Sequence, residues 1–266
     1  MSATIGESRA ARALLNLYIA LFFVYLFAPL LVMSLAAFND YPYPSVTQWR
    51  GFTLRWFTAL SEDQRILQGV LHSLIIAGGV VALSLPLGLA GAMVLHRLQG
   101  RAAGFLYAVM VSPILTPGII IGIATLIFWR ALGVPGGKFT AIVAQSTFIA
   151  SYCMLMFLAR LQRFDPTLEE AAYDLGASAF LVFRRIVLPY LAPTAFTAAI
   201  IAFLQSIENY NTTVFSIGGD WTLVTEIGAR FRFGLSPVIN VIGVLFVVIT
   251  IVCASLYVWL RERRRP

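Results

Sequence analysis

Residues 17–35 read LYIALFFVYLFAPLLVMSL, a run without a single charged side chain. Apolar residues fall on every side of it, so it carries neither the stripe of an amphipathic helix nor the alternation of a half-buried strand. A helix of about 20 apolar residues, rising 1.5 Å per residue, crosses a hydrocarbon core of roughly 30 Å. Val238 to Leu256 reads the same way, and neither segment alternates as a membrane β-strand must. Outward from residues 17–35, six stretches lack Asp, Glu, Lys and Arg altogether: 13–39, 66–96, 102–129, 139–159, 186–207 and 233–260. Each is long enough to span a bilayer. The expectation is an all-α integral membrane protein with six transmembrane helices, at about 14–38, 69–95, 103–130, 139–160, 188–208 and 235–260, in one domain covering residues 1–266.

Composition agrees. The chain is 59% hydrophobic and only 12% charged, with a mean hydropathy of +0.85, whereas soluble domains carry about 25% charged residues. A soluble globule is excluded. The 19 Lys and Arg against 12 Asp and Glu give a net charge of +7, and their placement decides what that means. Six spans put both termini on one side, together with the 96–101 turn and the 160–185 loop. That side holds twelve basic residues against seven on the other, and six acids lie on each. The positive-inside rule therefore places both termini in the cytoplasm of a multi-pass membrane protein. The surplus charge records topology, not nucleic-acid binding, and Arg261, Arg263, Arg264 and Arg265 read as an anchor at the lipid bilayer surface.

Several signals resolve into bland readings. Arg9 and Arg12 before an apolar run, with Ser34-Leu35-Ala36 after it, imitate a signal peptide, but the run exceeds the 7–15 residues of such an h-region. Cys153 and Cys253 both fall in spans and form no C-x-x-C, so they read as packing residues. Gly136-Gly137-Lys138 imitates a phosphate-binding loop, yet Leu132 and Phe139 occupy the positions that a Walker A motif reserves for Gly and Ser/Thr. His72 and His96 sit near span ends, and no catalytic or metal-ligating constellation is present. No enzymatic activity and no cofactor are expected of this chain.

Other stretches carry more. In the 39–68 outside loop, Phe52, Leu54, Trp56, Phe57 and Leu60 suggest an amphipathic interfacial helix, with Trp49 and Trp56 as anchors. Pro113 and Pro117, with Gly118 and Gly122, predict a kinked third span, which either lines a pathway or serves packing alone. Between residues 160 and 189, Asp165-Pro166 reads as an N-cap followed by Pro at the first helical position. Leu168, Ala171, Ala172 and Leu175 form one small apolar face. Gly176 can close that helix in the left-handed conformation, and Ser178 can cap a second short helix through Phe180, Phe183 and Arg184. Pro189 then begins the fifth span.

Within that loop, Glu170-Ala171-Ala172 is followed after three residues by Gly176, and after nine more by Ile186-Val187-Leu188-Pro189. This resembles the E-A-A-x-x-x-G-x9-I-x-L-P signature of the membrane subunits of binding-protein-dependent ABC importers. Phe38-Asn39-Asp40, Gly51 to Trp56, Ser112-Pro113, Gly234 to Pro237 and Asn240 are similar to the second permease subunit of spermidine/putrescine-type importers. The resemblance implies a place in the bacterial inner membrane, a MetI-like type I ABC importer permease fold and three kinds of partner: a second permease in a heterodimer, two ATP-binding cassette subunits that bind ATP and Mg, and a periplasmic solute-binding protein. Residues 164–187 would be the coupling-helix loop, with Glu170, Ala171, Ala172, Gly176, Ile186, Leu188 and Pro189 as ATPase-coupling residues.

For the substrate pathway, Glu208 ends the fifth stretch and is followed by Asn209 and Tyr210. An acid at a membrane edge is costly, and it either faces the pathway or serves as a structural hydrogen-bond partner. Polyamine permeases of the resembled type often show two adjacent acids here, where this chain has Glu208-Asn209. The implied solute is small and amine-containing, polyamine-like, with a monocationic, zwitterionic or opine-like solute left open. Tyr152, Gln145 and Trp129 join Tyr210 as residues for cation–π or hydrogen-bonding contacts or for packing. A self-sufficient secondary transporter or channel is the alternative, although the inverted repeats and buried ionisable groups of that class are not evident.

Overall fold

In the computed structural model, residues 9–233 and 236–262 are described. The sequence signals at Gly234, Leu235 and Arg263 to Arg265 lie outside them, as do the side chains of Arg261 and Cys253. Among the described residues the regular elements are all helices, with an isolated bridge between Asn39 and Phe52. Four helices are long and apolar enough to cross a membrane: Ala11–Ala37, Gln64–Arg97, Lys138–Leu161 and Ala179–Ile207. The third charge-free stretch holds two helices set at 102°, and the sixth holds Val238–Glu262. The chain divides into two compact units.

The first unit contains residues 1–64 and 230–266. Here α1 (Arg9–Ala37) packs along α12 (Val238–Glu262), which also meets α2 (Arg55–Glu62). Most of α1 is exposed apolar surface, as expected of a helix solvated by lipid. The expected interfacial helix starts later than the apolar pattern suggests, at Arg55, because Phe52 is held in its bridge with Asn39. Asn39 is buried and organises the loop. Its Nδ2 donates to the carbonyls of Ser45 and Gln48 at 2.7 and 2.9 Å, and its Oδ1 accepts from the Arg50 amide at 3.0 Å. The Trp56 indole donates to the Asn39 carbonyl at 2.9 Å, so Trp56 is a structural strut of this loop. Arg230 closes on both carboxylate oxygens of Asp63, at 2.5 and 2.9 Å.

The second unit, residues 65–229, carries the main core. It is built on α3 (Gln64–Arg97), α6 (Lys138–Leu161) and α9 (Leu188–Ile207). Ile76 and Val80, Ile149 and Phe157, and Leu191 and Ala198 interlock there, with the Cys153 thiol buried among them. Around these run α4 (Gly100–Leu115), α5 (Gly118–Ala131), α7 (Thr167–Asp174), α8 (Ala179–Val182), α10 (Thr213–Ser216) and α11 (Leu223–Phe233). The helices α10 and α11 occupy a segment that the charge pattern left as a loop.

Two features depart from the sequence expectation. The third stretch is broken between α4 and α5, beyond a kink. Thr116 is extended at ψ 128°, as the residue before a proline tends to be, and the Pro117 carbonyl accepts from the amides of Ile120 and Ile121 to start α5. Pro113 leaves the Val109 carbonyl without its usual donor, and the Ser112 hydroxyl supplies one at 2.8 Å; Thr116 Oγ1 caps the Ser112 carbonyl at 3.0 Å. The break is therefore satisfied internally by hydroxyls, as a membrane interior requires.

The second departure concerns Pro189, which does not begin the fifth span. The helix that starts at Ala179 runs on through a π turn at Phe183–Val187 into α9. In a regular ladder the amide of residue 189 would bond to the carbonyl of residue 185, and proline has none. The wider turn just before it, with the Leu188 amide bonded to the Phe183 carbonyl, lets the helix pass the proline uninterrupted.

Candidate functional site

A cavity of about 420 Å³ lies at the break between α4 and α5. The break lends it Thr116 and Gly118, and α6 lends Phe148 and Tyr152. The end of α9 contributes Gln205 and Glu208, and the following residues Asn209, Tyr210, Asn211 and Thr212 close it. All four residues singled out from sequence as pathway candidates, Glu208, Asn209, Tyr210 and Tyr152, thus line one cavity. Trp129 does not; it stacks edgewise against Phe128 and Phe139.

The wall formed by residues 205–216 is fixed by a buried polar chain. Gln145, fully buried on α6, accepts from the Ser206 hydroxyl at 2.6 Å and donates to Thr213 Oγ1 at 2.7 Å. Thr140 Oγ1 donates to the Ser216 carbonyl at 2.7 Å. Gln145 is therefore a positioning residue for this wall, with both ends of its amide engaged. Gly122 makes the approach of α5 possible: a Cβ there would sit 2.5 Å from the Thr212 carbonyl oxygen. The Tyr210 ring rests on Gly228 of α11. That helix is started by a reciprocal pair, Thr222 amide to Thr225 Oγ1 at 2.8 Å and Thr225 amide to Thr222 Oγ1 at 3.3 Å. Thr222-x-x-Thr225 was the available sequence signal for α11.

Electrostatically the cavity is one-sided. Its lining holds one carboxylate, Glu208, and no Lys or Arg. Among the described residues the Glu208 carboxylate has neither an ion pair nor a hydrogen bond. Glu208 also caps the C-terminal end of α9, where free carbonyls make a negative charge unfavourable by about 0.3–1 kcal/mol. Helix stability therefore does not account for it. The Asn209 side chain is partly committed, because its Oδ1 accepts from the Thr212 amide at 3.1 Å. Gln205 Oε1 is buried without a partner among the described residues. A carboxylate, the faces of Phe148, Tyr152 and Tyr210, and free amide groups together suit a cation with hydrogen-bonding substituents.

The second candidate region is the loop from Asp165. Asp165 Oδ1 accepts from the Thr167 hydroxyl at 2.8 Å and from its amide at 3.0 Å, and these bonds hold the carboxyl below its usual range. The start of α7 is thus capped as the sequence suggested. Its end closes on Gly176 at φ +79°, with the Gly176 amide bonded to the Tyr173 carbonyl at 2.8 Å and the Ala177 amide to the Ala172 carbonyl at 3.0 Å. This is a Schellman closure. The Ser178 hydroxyl accepts from the Leu181 amide at 3.4 Å.

No residue of α7 is buried. Leu175 is 89% exposed and Phe180 70%, and Leu168 and Glu170 also face outward. Glu170, Ala171, Ala172 and Gly176 fall on α7 and its closing turn. Ile186, Leu188 and Pro189 belong instead to the π turn and the start of α9. An anchor missed from sequence ties this region to α6: the Arg160 guanidinium stacks 4.1 Å from the Tyr190 ring, and the Tyr190 hydroxyl donates to the Arg160 carbonyl at 3.2 Å.

Comparison with known proteins adds the following. The family model described as "Binding-protein-dependent transport system inner membrane component" matches residues 84–266. The "Putrescine transport system permease protein PotI" of Escherichia coli K12 is 32% identical over 231 residues, covering 84% of this chain and 82% of its own length. The "Spermidine/putrescine transport system permease protein PotC" of the same strain is 26% identical over 231 residues, covering 86% and 87%. Among solved structures, a chain of a bacterial ABC transporter involved in import of the acidic polysaccharide alginate superposes with a TM-score of 0.67 at 15% identity, covering 96% of both chains. A chain of the MetNI methionine ABC transporter gives 0.61 at 20% identity, covering 74% of this chain and 94% of that one. At these identities the structures speak for the fold alone.

Proposed function

Because this chain belongs to the family of binding-protein-dependent transport system inner membrane components, and is a non-catalytic permease subunit of an ABC importer, we propose that the Glu208 cavity is its solute station and the loop at Asp165–Pro189 its contact with the ATPase. The solute is a small amine-containing molecule, in keeping with the polyamine permeases among its relatives. The observation that carries this reading is the unpaired Glu208 carboxylate, placed against its own helix dipole in a cavity without a cationic side chain. A broken span at such a cavity is the usual means by which helical transporters present backbone and side-chain groups to a solute.

In this reading the ammonium sits between Glu208 and the faces of Tyr152 and Tyr210, and the free amides orient its substituents. A second permease supplies the facing half of the pathway, and a periplasmic binding protein delivers the solute. Two ATPase subunits bind ATP and Mg, and one of them grips the exposed surface of α7. Closure of the ATPases displaces α7, and rigid motion of the attached helices exchanges inward- and outward-facing states. Both termini lie in the cytoplasm, consistent with twelve basic residues on that side against seven on the other.

The test is uptake by the assembled transporter carrying Glu208→Gln, which keeps the shape and removes the charge. Losing a charge-assisted contact of about 1.5–2 kcal/mol raises KM roughly 10- to 30-fold. Unchanged KM for every amine that the wild type imports would remove Glu208 from the pathway.

A further inference from the structure

Within the second unit, the first turns of α11 are pinned to α3. The Leu223 amide donates to Ser73 Oγ at 3.0 Å, and the two backbones come so close that a Cβ on Gly69 would stand 3.1 Å from the Leu223 nitrogen. Arg65 Nε meets Glu226 Oε2 at 2.6 Å, and the Glu226 side chain is only 5% exposed. Just before the helix, His72 Nδ1 donates to the Trp221 carbonyl and the Trp221 indole donates to the Arg65 carbonyl, each at 2.9 Å. The Arg65 guanidinium also lies 4.4 Å from the centre of the Trp221 ring.

Toward the cavity the same helix presents bare backbone, at Gly228. Glu226 and Gly228 are two residues apart, about 200° around a helix of 3.6 residues per turn, so they face opposite ways. The Tyr210 ring lies against Gly228: a Cβ there would overlap Tyr210 Cε2 and stand 3.0 Å from Cζ and 3.1 Å from the hydroxyl oxygen. Tyr210 in turn lines the Glu208 cavity. Glycine inside a helix is less stable than alanine, so helix formation does not account for Gly228, whereas the close seat of the ring does. We propose that α11 is a positioning element of the solute station: clamped to α3 on one face, it fixes on the other, through Gly228, where the Tyr210 ring stands relative to Glu208. This rests on the reading of that cavity as the solute station. Because α3 holds the helix, a side chain at position 228 displaces the ring and not α11.

The test is uptake of putrescine and spermidine by the assembled transporter, with thermal unfolding measured in parallel. A displaced aromatic face forfeits a cation–π contact worth about 5- to 30-fold in affinity. Gly228→Ala should therefore raise KM by about that factor with the maximal rate unchanged. In a Tyr210→Leu background, where no ring meets position 228, the same substitution should leave KM where Tyr210→Leu alone puts it and should raise the unfolding midpoint, as alanine does in an unobstructed helix. A purely structural glycine would lower the maximal rate and the midpoint in both backgrounds, and that result overturns the proposal. An unchanged KM in Gly228→Ala does so too. If Gly228→Ala does not assemble, Arg65→Met decides: it releases the clamp on Glu226 without touching the cavity lining and should raise KM, while Arg65→Lys, which keeps a cation beside Glu226, should raise it less. Wild-type KM in Arg65→Met overturns the proposal. Glu208→Gln in the same assay separates the two readings: a raised KM there with wild-type KM in Gly228→Ala removes only the positioning role, and wild-type KM in both removes the solute station as well.

Discussion

Replacing Gly122 by alanine separates packing from propensity. In a helix interior, Gly to Ala is worth about 0.8–1 kcal/mol in favour of Ala. At Gly122 the new Cβ would stand 2.5 Å from the Thr212 carbonyl oxygen and 3.2 Å from Phe215 Cβ. Ordinary contact begins near 3.4 Å, so the wall must retreat by about 1 Å. The obstructing atom is backbone, in a segment tied to Gln145 through Thr213, so no side-chain rotation relieves the clash. Overpacking of this kind costs about 1–3 kcal/mol, which outweighs the gain in propensity. The expected net loss is up to about 2 kcal/mol, a fall of a few degrees in the unfolding midpoint at about 2–4 °C per kcal/mol. The control is Gly78→Ala on α3, where a Cβ meets nothing within 4 Å and the same substitution should stabilise. Thermal unfolding of the two variants in detergent, with uptake measured in parallel, provides the readout. Residues 209–212 form the wall and line the cavity proposed as the solute station, so Gly122→Ala should also raise KM for uptake. If Gly122→Ala proves as stabilising as Gly78→Ala, the packing geometry assigned to this wall is wrong.

Two further outcomes follow from the same structure. Gly176→Pro removes an amide bonded to Tyr173 and forbids the φ of +79° that closes α7; with Glu170→Lys, it should abolish uptake and solute-stimulated ATP hydrolysis while leaving the protein in the membrane, and normal coupled hydrolysis in both variants would refute the docking role of α7. Gln145→Leu leaves the buried hydroxyls of Ser206 and Thr213 without partners, which costs about 1–3 kcal/mol for each group left unsatisfied; adding Ser206→Ala and Thr213→Val should recover most of that loss in thermal unfolding, and no recovery would show that the amide is not the link.

Local chemistry was legible in the sequence and long-range pairing was not. Asp165 and Gly176 act on groups within two or three residues of themselves, so their roles could be read from type and spacing. The break at Thr116 was visible only as a kink, because its depth depends on Ser112 and Thr116 hydroxyls taking over backbone carbonyls. The π turn before Pro189 was invisible, since proline is equally compatible with a helix start and with a helix that widens one turn earlier. Gln145 could be named but not assigned, because its partners lie 61 and 68 residues away. The helix α11 was missed because Arg230 and Arg232 interrupt the apolar run, and its start depends on the short Thr222–Thr225 exchange.

The departures from regular helix are concentrated at the regions to which function is assigned. The interruption of the third span, the carboxylate at the C-terminal end of α9 and the unpartnered Gln205 Oε1 all meet in one cavity. The exposed Leu175 and Phe180 flank the turn that Gly176 closes in the left-handed conformation, next to the helix that widens to pass Pro189. Elsewhere in the second unit, α3 and α6 run as unbroken helices that follow the simple rule of spans and charges. Each irregularity costs stability, and a protein selected for stability alone would have replaced Glu208 with a residue suited to a helix C-terminus. Its presence there, beside a broken span satisfied by hydroxyls, is the physical reason for proposing that the solute binds at that cavity and not along the regular helices.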